Sequence, residues 1–464
     1  MKFDRRNVIF LGIFVVFFGC LLFIGEPIYT NDTFQYESQM VMREPGYALF
    51  MQLMRFISPE GCYQLIIVLQ NILAVVANTI FMVFMRRRLR LGMPMSLLFT
   101  AILLAPHVMT PVFSHTHLIL TNTLMTEGVL FSLYPLAMIS LLDAIWDKKP
   151  LGVASIRTIL VFFLLSLIRG QMMVLFVVWV LVMGILSFFD GSSHWGRSHN
   201  KVITTGIVQS ITLFLIVVMA FVARSGLVCF YNYLENGLLV GSVSGKAMSF
   251  ANVLYVADRE DGASIEDERL RELFYEMYDT ADADGMNYKY APGGILNRAA
   301  HHEMCHDELN FTYFGEPAKW YVNETKGIYV GQYQELMIEI DKVAAQLSAE
   351  LMPQVFGRYV KNYLCVIALG FVRTIAYEKS FLVWYAVVAY IAAIVLTVLC
   401  WRKHPNSMAA PFLAVILLTI VGNVCATALM IQCISRYMIY NLPLFYMAGL
   451  TGLLELNQLR GRSN

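Results

Sequence analysis

Long unbroken apolar runs alternate with short polar segments along this chain, and most runs match the thickness of a bilayer core when drawn as helix. About 20 apolar residues rising 1.5 Å each cross the roughly 30 Å hydrocarbon layer. That rule marks runs near residues 8–25, 62–85, 95–112, 118–145, 152–168, 172–189, 202–222, 381–400, 409–430 and 436–456. The pattern predicts an all-α polytopic membrane protein with about ten transmembrane helices. The fifth and sixth runs are short and meet at Arg169-Gly170-Gln171, which reads as a pair of half-buried helices joined at the outer boundary.

Two polar stretches are long enough to hold chemistry. The first, Gly25 to Gly61, is a loop of about 35 residues, and the second runs from about Arg224 to Ser380. The second is Tyr-rich and contains amphipathic stretches at Ile265 to Tyr278 and Tyr333 to Leu351, so it predicts a small, mostly helical extracytoplasmic insert. Its last part, Tyr359 to Thr374, is apolar enough to lie along or re-enter the membrane. The chain therefore divides into an N-terminal transmembrane module (1–223) carrying the outer loop 25–61, an insert (224–380) and C-terminal transmembrane helices (381–464). No internal repeat is visible, and a lone insert after the seventh span fits poorly with transporters built from duplicated halves.

Composition supports lipid as the solvent: 58% of residues are hydrophobic and 14% charged, against roughly 45–50% and about 25% in soluble domains. A net charge of +1 offers no footprint for nucleic acid. The basic residues are clustered: Lys2, Arg5 and Arg6; Arg86 to Arg90; Lys148 and Lys149; Arg197 and Lys201; Arg402 and Lys403; Arg460 and Arg462. With these spans every cluster falls on one side, which by the excess of Lys and Arg in cytoplasmic loops places both termini in the cytoplasm of a plasma (inner) membrane protein. The N-terminus has the charge layout of a signal peptide without a small-residue cleavage site, so it reads as a retained first span.

The eight cysteines form no CxxC pair, and Cys20, Cys400 and Cys425 fall within apolar runs as small packing residues. Cys229 and Cys305 both fall in the outer segment, as a disulfide or as free thiols. His107, His115 and His117 cluster in one place, and His301, His302, Cys305 and His306 with Glu303 in another. Both sets contain ligand types suited to a divalent metal, but neither has a recognised spacing, and interface histidines are the default reading. Asn310 and Asn323 open glycosylation sequons.

The first outer loop reads Tyr29-Thr30-Asn31-Asp32-Thr33-Phe34-Gln35-Tyr36-Glu37, then Arg43-Glu44-Pro45-Gly46-Tyr47-Ala48-Leu49-Phe50. A carboxylate flanked by aromatics at the membrane boundary is placed to take a proton from an acceptor hydroxyl. Asp32 has a second reading, as the N-cap of a short helix beginning at Thr33. Glu127 opens an otherwise apolar span, where a charge is costly and usually faces a cavity. Arg169 and Arg436 stand at helix ends, either to snorkel to the interface or to meet an anion.

Four fragments in order resemble the GT-C glycosyltransferases, multi-span enzymes that take a sugar from a polyprenyl- or dolichyl-phosphate carrier and include protein O-mannosyltransferases and aminoarabinose transferases. They are Asp32 and Tyr36 with Pro45-Gly46-Tyr47-Ala48-Leu49-Phe50; Leu124-Met125-Thr126-Glu127-Gly128; Leu167-Ile168-Arg169-Gly170; and Ser435-Arg436-Tyr437. Ala48 and Gly170 stand where prolines are usual, marking a divergent member. The resemblance covers the membrane portion and not the insert. It implies Asp32 as general base with Glu37 or Glu44 as fallback, Arg43, Arg169, Arg436 and Tyr437 at the carrier phosphate, and Glu127, Tyr36 and Tyr47 orienting the site. The implied activity is inverting transfer from a polyprenyl-phosphate-linked sugar donor to a glycan, glycolipid or protein acceptor, with a divalent metal as an open requirement. Alternatives are an O-antigen or exopolysaccharide polymerase, and, ranked after it, a transporter or flippase.

Overall fold

The computed structural model describes residues 5–114, 117–147, 149, 151–191, 199–404 and 407–463. Among these the chain is helical throughout, its only β pairing being an isolated parallel bridge between Ile28 and Thr123. Among the described residues eight helices are long and apolar enough to cross a membrane. The apolar helices, in chain order, are α1 (Arg5–Ile24), then, after short α2 (Asn31–Glu37) and α3 (Pro45–Ile57), α4 (Cys62–Arg88), α5 (Met93–Phe113), α6 (Thr126–Trp146), α7 (Val153–Ile168), α8 (Val174–Gly191) and α9 (His199–Asn236). The segment beyond holds α10 (Gly245–Val256), α11 (Glu268–Ala283), α12 (Ile295–Glu308), a π-helical turn at Leu309–Gly315, α13 (Glu316–Lys326) and α14 (Tyr333–Ala376). The chain closes with α15 (Val383–Lys403), α16 (Ala409–Met430), one-turn α17 (Ser435–Met438) and α18 (Leu442–Ser463).

Side-chain contacts sort the helix ends into two sets. At one end, Arg88 pairs with Asp147 at 2.9 Å and with Asp143, which also takes Arg157 at 2.7 Å. Trp146 Nε1 donates to the Met408 carbonyl, and Glu455 accepts from the Met408 and Ala409 amides. The basic segments 86–90 and 402–403 stand at this end. At the other end lie the first loop, Glu127, Arg169 and the α16–α18 connection.

Two expected boundaries move. The run at 118–145 enters helix only at Thr126, because Ile119 to Met125 forms a 3-10 turn and an extended strip that bonds back to the first loop. The run at 436–456 becomes helix α18 only at Leu442, after α17 and a further 3-10 turn. Helix α14 is the larger departure, since one continuous helix joins the amphipathic stretch from Tyr333 to the apolar stretch at 359–374. Its second half packs on the bundle: Tyr359 and Tyr363 hydroxyls donate to the Leu429 and Cys425 carbonyls, and Tyr390 and Tyr446 donate to the Phe371 and Ile375 carbonyls. This helix is itself one of the eight that are long and apolar enough to cross a membrane.

The segment 245–355 has a core of its own, built from Phe250, Leu254, Tyr255, Phe274, Met277, Phe314, Leu336, Leu347 and Leu351. The bundle core is separate and larger, with Phe10, Phe14, Phe18, Phe81, Phe99, Phe162, Trp179 and Phe412 fully buried. Elsewhere the bundle faces outward with exposed apolar side chains, as on α15 with Trp384, Val388, Ile391, Ile394 and Trp401. That is the reverse of a soluble helix surface and fits a lipid environment.

Candidate functional site

Backbone pairing brings the first loop and the start of α6 together. Ile28 N–H donates to the Asn122 carbonyl at 2.8 Å, Leu124 N–H returns a bond to Ile28 at 3.1 Å, and Thr33 Oγ1 donates to the Leu124 carbonyl at 3.0 Å. Gln70, a polar residue within apolar α4, secures both sides: its amide donates to the Thr121 and Thr123 carbonyls at 2.9 and 3.0 Å and accepts from the Tyr47 hydroxyl at 3.0 Å. Gly128 allows this packing, because a Cβ there would stand 2.5 Å from the Gln70 amide. Likewise a Cβ on Gly46 would stand 2.8 Å from the Leu167 carbonyl, so the Pro45-Gly46 turn lets α3 close against the end of α7.

Asp32 is not the cap of α2. The N-cap is Thr30, whose N–H donates to Thr33 Oγ1 at 2.9 Å, and Asp32 stands in the first turn with its carboxylate 2.6 Å from Arg43. Arg43 lies 5.1 Å from the Tyr36 ring, which packs edge-on against the buried Tyr47 ring. Glu127 is buried and pairs with Arg169 at 2.8 Å. Arg436 is 3.8 Å from Glu127 and 4.0 Å from Asp32. Both guanidiniums lie against the Tyr437 ring, at 4.4 Å for Arg169 and 5.0 Å for Arg436. Arg436 Nη2 donates to the Tyr437 hydroxyl at 3.0 Å, while its buried Nε makes no hydrogen bond and is the atom that faces Glu127 at 3.8 Å. Arg169 is therefore held inside by a carboxylate and does not snorkel.

These residues border a cavity of about 740 Å³ between the bundle and the 245–355 segment. Its wall carries Asp32, Glu44 and Glu127 against Arg43, Arg169, Arg224 and Lys319, with Arg436 in contact behind, so cations outnumber carboxylates. An apolar trough continues from this charged end between α8, α9 and α16, formed by Met173, Val174, Val177, Phe221, Ala426 and Met430. Opposite, Ser242 to Met248 and the π-helical turn, with Asn310, Phe311 and Phe314, form the remaining wall. A π turn widens the helix locally and such turns are frequent at functional sites.

Of the residues singled out from the sequence, Asp32, Tyr36, Arg43, Glu44, Glu127, Arg169 and Tyr437 line the cavity, and Arg436 touches Asp32, Glu127 and Tyr437. Tyr47 supports Tyr36 from below. Glu37 is elsewhere: Tyr29, Arg55 and Tyr63 hold its carboxylate at 2.8, 2.6 and 2.5 Å, which removes it as a fallback beside Asp32. Arg224, which marked only the start of the insert in the sequence, proves to be a cavity residue paired with Glu44 at 2.5 Å. Its signal was a lone arginine within the unbroken apolar stretch of α9. Asn423 also emerges, accepting from Gln171 at 2.6 Å and donating to the Tyr437 carbonyl at 2.9 Å.

Among the described residues no group of three or more His, Cys, Asp and Glu is placed to hold a metal. The imidazoles of α12 diverge: His302 Nε2 bonds Asn252 Oδ1 at 2.8 Å and His306 Nε2 the Met248 carbonyl at 3.2 Å. Burial lowers the His302 pKa well below its usual value and pushes the Cys305 thiol up to about 11. All eight cysteines are free, so Cys229 and Cys305 are not bridged. His107 is buried against Phe18, His117 bonds the Pro111 carbonyl, and His115 lies outside the described residues. Asn310 is 6% exposed at the cavity wall, so its sequon is closed to modification in the folded chain.

No protein-family model matches the chain, no curated protein matches it, and no solved structure matches it.

Proposed function

We propose that this protein is a membrane glycosyltransferase that moves a sugar from a polyprenyl-phosphate donor to a glycan, lipid or protein acceptor on the extracytoplasmic face, with inversion. The observation that carries the reading is the amphipathic cavity: a cluster of arginines at one end and an apolar trough between α8, α9 and α16 leading from it. A ligand that fits both has a compact anionic head and a long hydrocarbon tail, which describes a lipid phosphate. The sequence resemblance to GT-C enzymes points the same way, and Asp32, Tyr36, Arg43, Glu44, Glu127, Arg169 and Tyr437 are common to it and to the cavity wall.

In this reading the spans are α1, α4 to α9, α15, α16 and α18, with the basic ends in the cytoplasm and the cavity at the outer boundary. Segment 237–380, beyond the end of α9, is the extracytoplasmic insert in this reading, with α14 lying across the outer ends and not crossing the bilayer. Asp32 takes the proton of the acceptor hydroxyl as that oxygen attacks the anomeric carbon, and the carbon–phosphate oxygen bond breaks with its electron pair going to the lipid phosphate. Arg169, on the cavity wall, and Arg436 behind it stabilise that charge at short range. Glu127 holds both guanidiniums in place. A single displacement needs no covalent intermediate.

The test is transfer of radiolabelled sugar from polyprenyl-phosphate donors in membranes containing wild type, Asp32→Asn or Arg436→Ala. Loss of about 100-fold or more in both variants at unchanged protein level is expected. Full activity in Asp32→Asn overturns the base assignment, and no transfer by wild type from monophosphate donors moves the lipid-linked oligosaccharide polymerase reading ahead.

A further inference from the structure

The arginine and tyrosine at the proposed phosphate site sit on a connection with little structure of its own. Between the end of α16 and one-turn α17, residues 431–434 form no regular helix and are held from two sides: α16 accepts the Ile431 N–H at the Thr427 carbonyl and the Cys433 thiol at the Val424 carbonyl, and the insert bonds the Gln432 amide and the Cys433 carbonyl. Gln432, 7% exposed, donates its amide to Asp307 Oδ1 on α12 at 2.9 Å. Arg373 on α14 donates to the Cys433 carbonyl at 3.1 Å and is itself held by Glu303 on α12 at 2.6 Å. Asn252 on α10, bonded to His302 of α12, donates to the Leu429 carbonyl at 3.3 Å. Helix α14 presses closely on the same strip, since a Cβ on Gly370 would stand 2.9 Å from Cys433 Sγ.

We infer that α12 of the insert positions the Arg436–Tyr437 segment, with Glu303 and Asp307 as its positioning residues. They are four residues apart and so share one face of the helix, one turn from each other. Neither lines the cavity, and both act through a side chain that reaches the 431–434 connection. Truncating Asp307 replaces the charge-assisted acceptor of the Gln432 amide with mobile water, and the connection is free to shift. From the bundle side α16 holds the Ile431 amide, the Cys433 thiol and, through Asn423, the Tyr437 carbonyl, so the insert fixes the opposite side of the connection, at the Gln432 amide and the Cys433 carbonyl. The insert thereby sets the donor-phosphate end of the site as well as the opposite wall. The catalytic consequence rests on the transferase reading; the structural one does not.

The experiment compares full-length wild type, Asp307→Ala, Asp307→Asn and Glu303→Gln in detergent micelles by hydrogen–deuterium exchange and, in membranes, by transfer kinetics at varied donor and acceptor. In Asp307→Ala the amides of 431–436 are expected to exchange roughly tenfold faster while those of α11 stay unchanged, and kcat/KM for the donor to fall roughly tenfold with the acceptor KM unmoved. Asp307→Asn, which keeps an acceptor oxygen for Gln432, restores both. Glu303→Gln gives the same donor-selective pattern. Unchanged exchange at 431–436, a uniform rise across the insert, or an acceptor KM that moves while the donor value stays overturns the inference. If wild type transfers nothing, the transferase reading falls while exchange still decides the positioning.

Discussion

At the residue scale the cavity is organised by charges that would be untenable singly. Glu127 and Arg169 have side chains 5% and 17% exposed and each depends on the other. Removing one partner of such a pair leaves an uncompensated charge, typically at a cost of about 3–5 kcal/mol. Glu127→Gln is therefore expected to lose about 3 kcal/mol, toward the lower figure because Arg169 keeps Thr126 and the Tyr437 ring. Thermal unfolding in detergent checks this. The Glu127→Gln/Arg169→Gln double variant is expected to lose less than the sum of the two single variants; strict additivity would show that the pair does not act as a unit.

Helix α12 shows what a single element can carry. Its His302 is buried and stays neutral in the fold, while in the unfolded chain it protonates below a pKa of 6.5. Between the lowered native value and 6.5 the unfolded state binds the extra proton, so stability falls as pH drops through that window, by about 1.4 kcal/mol per unit at most. Unfolding of the purified protein followed from pH 7 to pH 5 is expected to show this decline. His302→Gln is expected to flatten it, and an equal slope in both proteins would assign the decline to other groups. Helix α3 illustrates the opposite case of an element that faces two environments. Tyr47, Met51 and Met54 are buried toward the bundle, and Leu53, Phe56 and Ile57 are exposed on the other side. In the proposed reading that exposed apolar side faces lipid at the membrane interface.

For the whole molecule, the separation of the basic end from the cavity end is the strongest organising feature. Arg88, Asp143 and Arg157 tie α4, α6 and α7 at one end, and Asp32, Glu127, Arg169 and Arg436 meet at the other. In the proposed orientation Lys149→Cys on a cysteine-free background resists a membrane-impermeant maleimide applied to intact cells, whereas Glu260→Cys in the insert reacts. Labelling of both from outside, or of Lys149→Cys alone, would reverse or break the topology.

Much of the helical layout was legible in the sequence, because a lipid-facing helix must be apolar over a length set by the bilayer. Candidate spans at 62–88, 93–113, 380–403 and 409–430 lie within a few residues of the predicted runs. The boundaries at Thr126 and Leu442 were not legible, since Ile119 to Met125 and Arg436 to Asn441 are apolar enough to pass for helix and leave it only through bonds to distant residues. The site was half legible. Asp32, Glu127, Arg169 and Arg436 stood out because a charge beside an apolar run is costly and therefore informative. Arg224 and Gln70 carried the same signal, but what they meet depends on how the helices pack. Glu37 shows the limit in the other direction: five residues after Asp32 in sequence, it faces Tyr29, Arg55 and Tyr63 instead of the cavity. By itself the sequence determined which segments prefer lipid and which residues bear charge at the boundary, because hydropathy is a property of each residue in place. Only tertiary structure decided which charges meet, because ion pairs and hydrogen bonds act over a few ångströms between residues that helix packing, and not chain order, brings together.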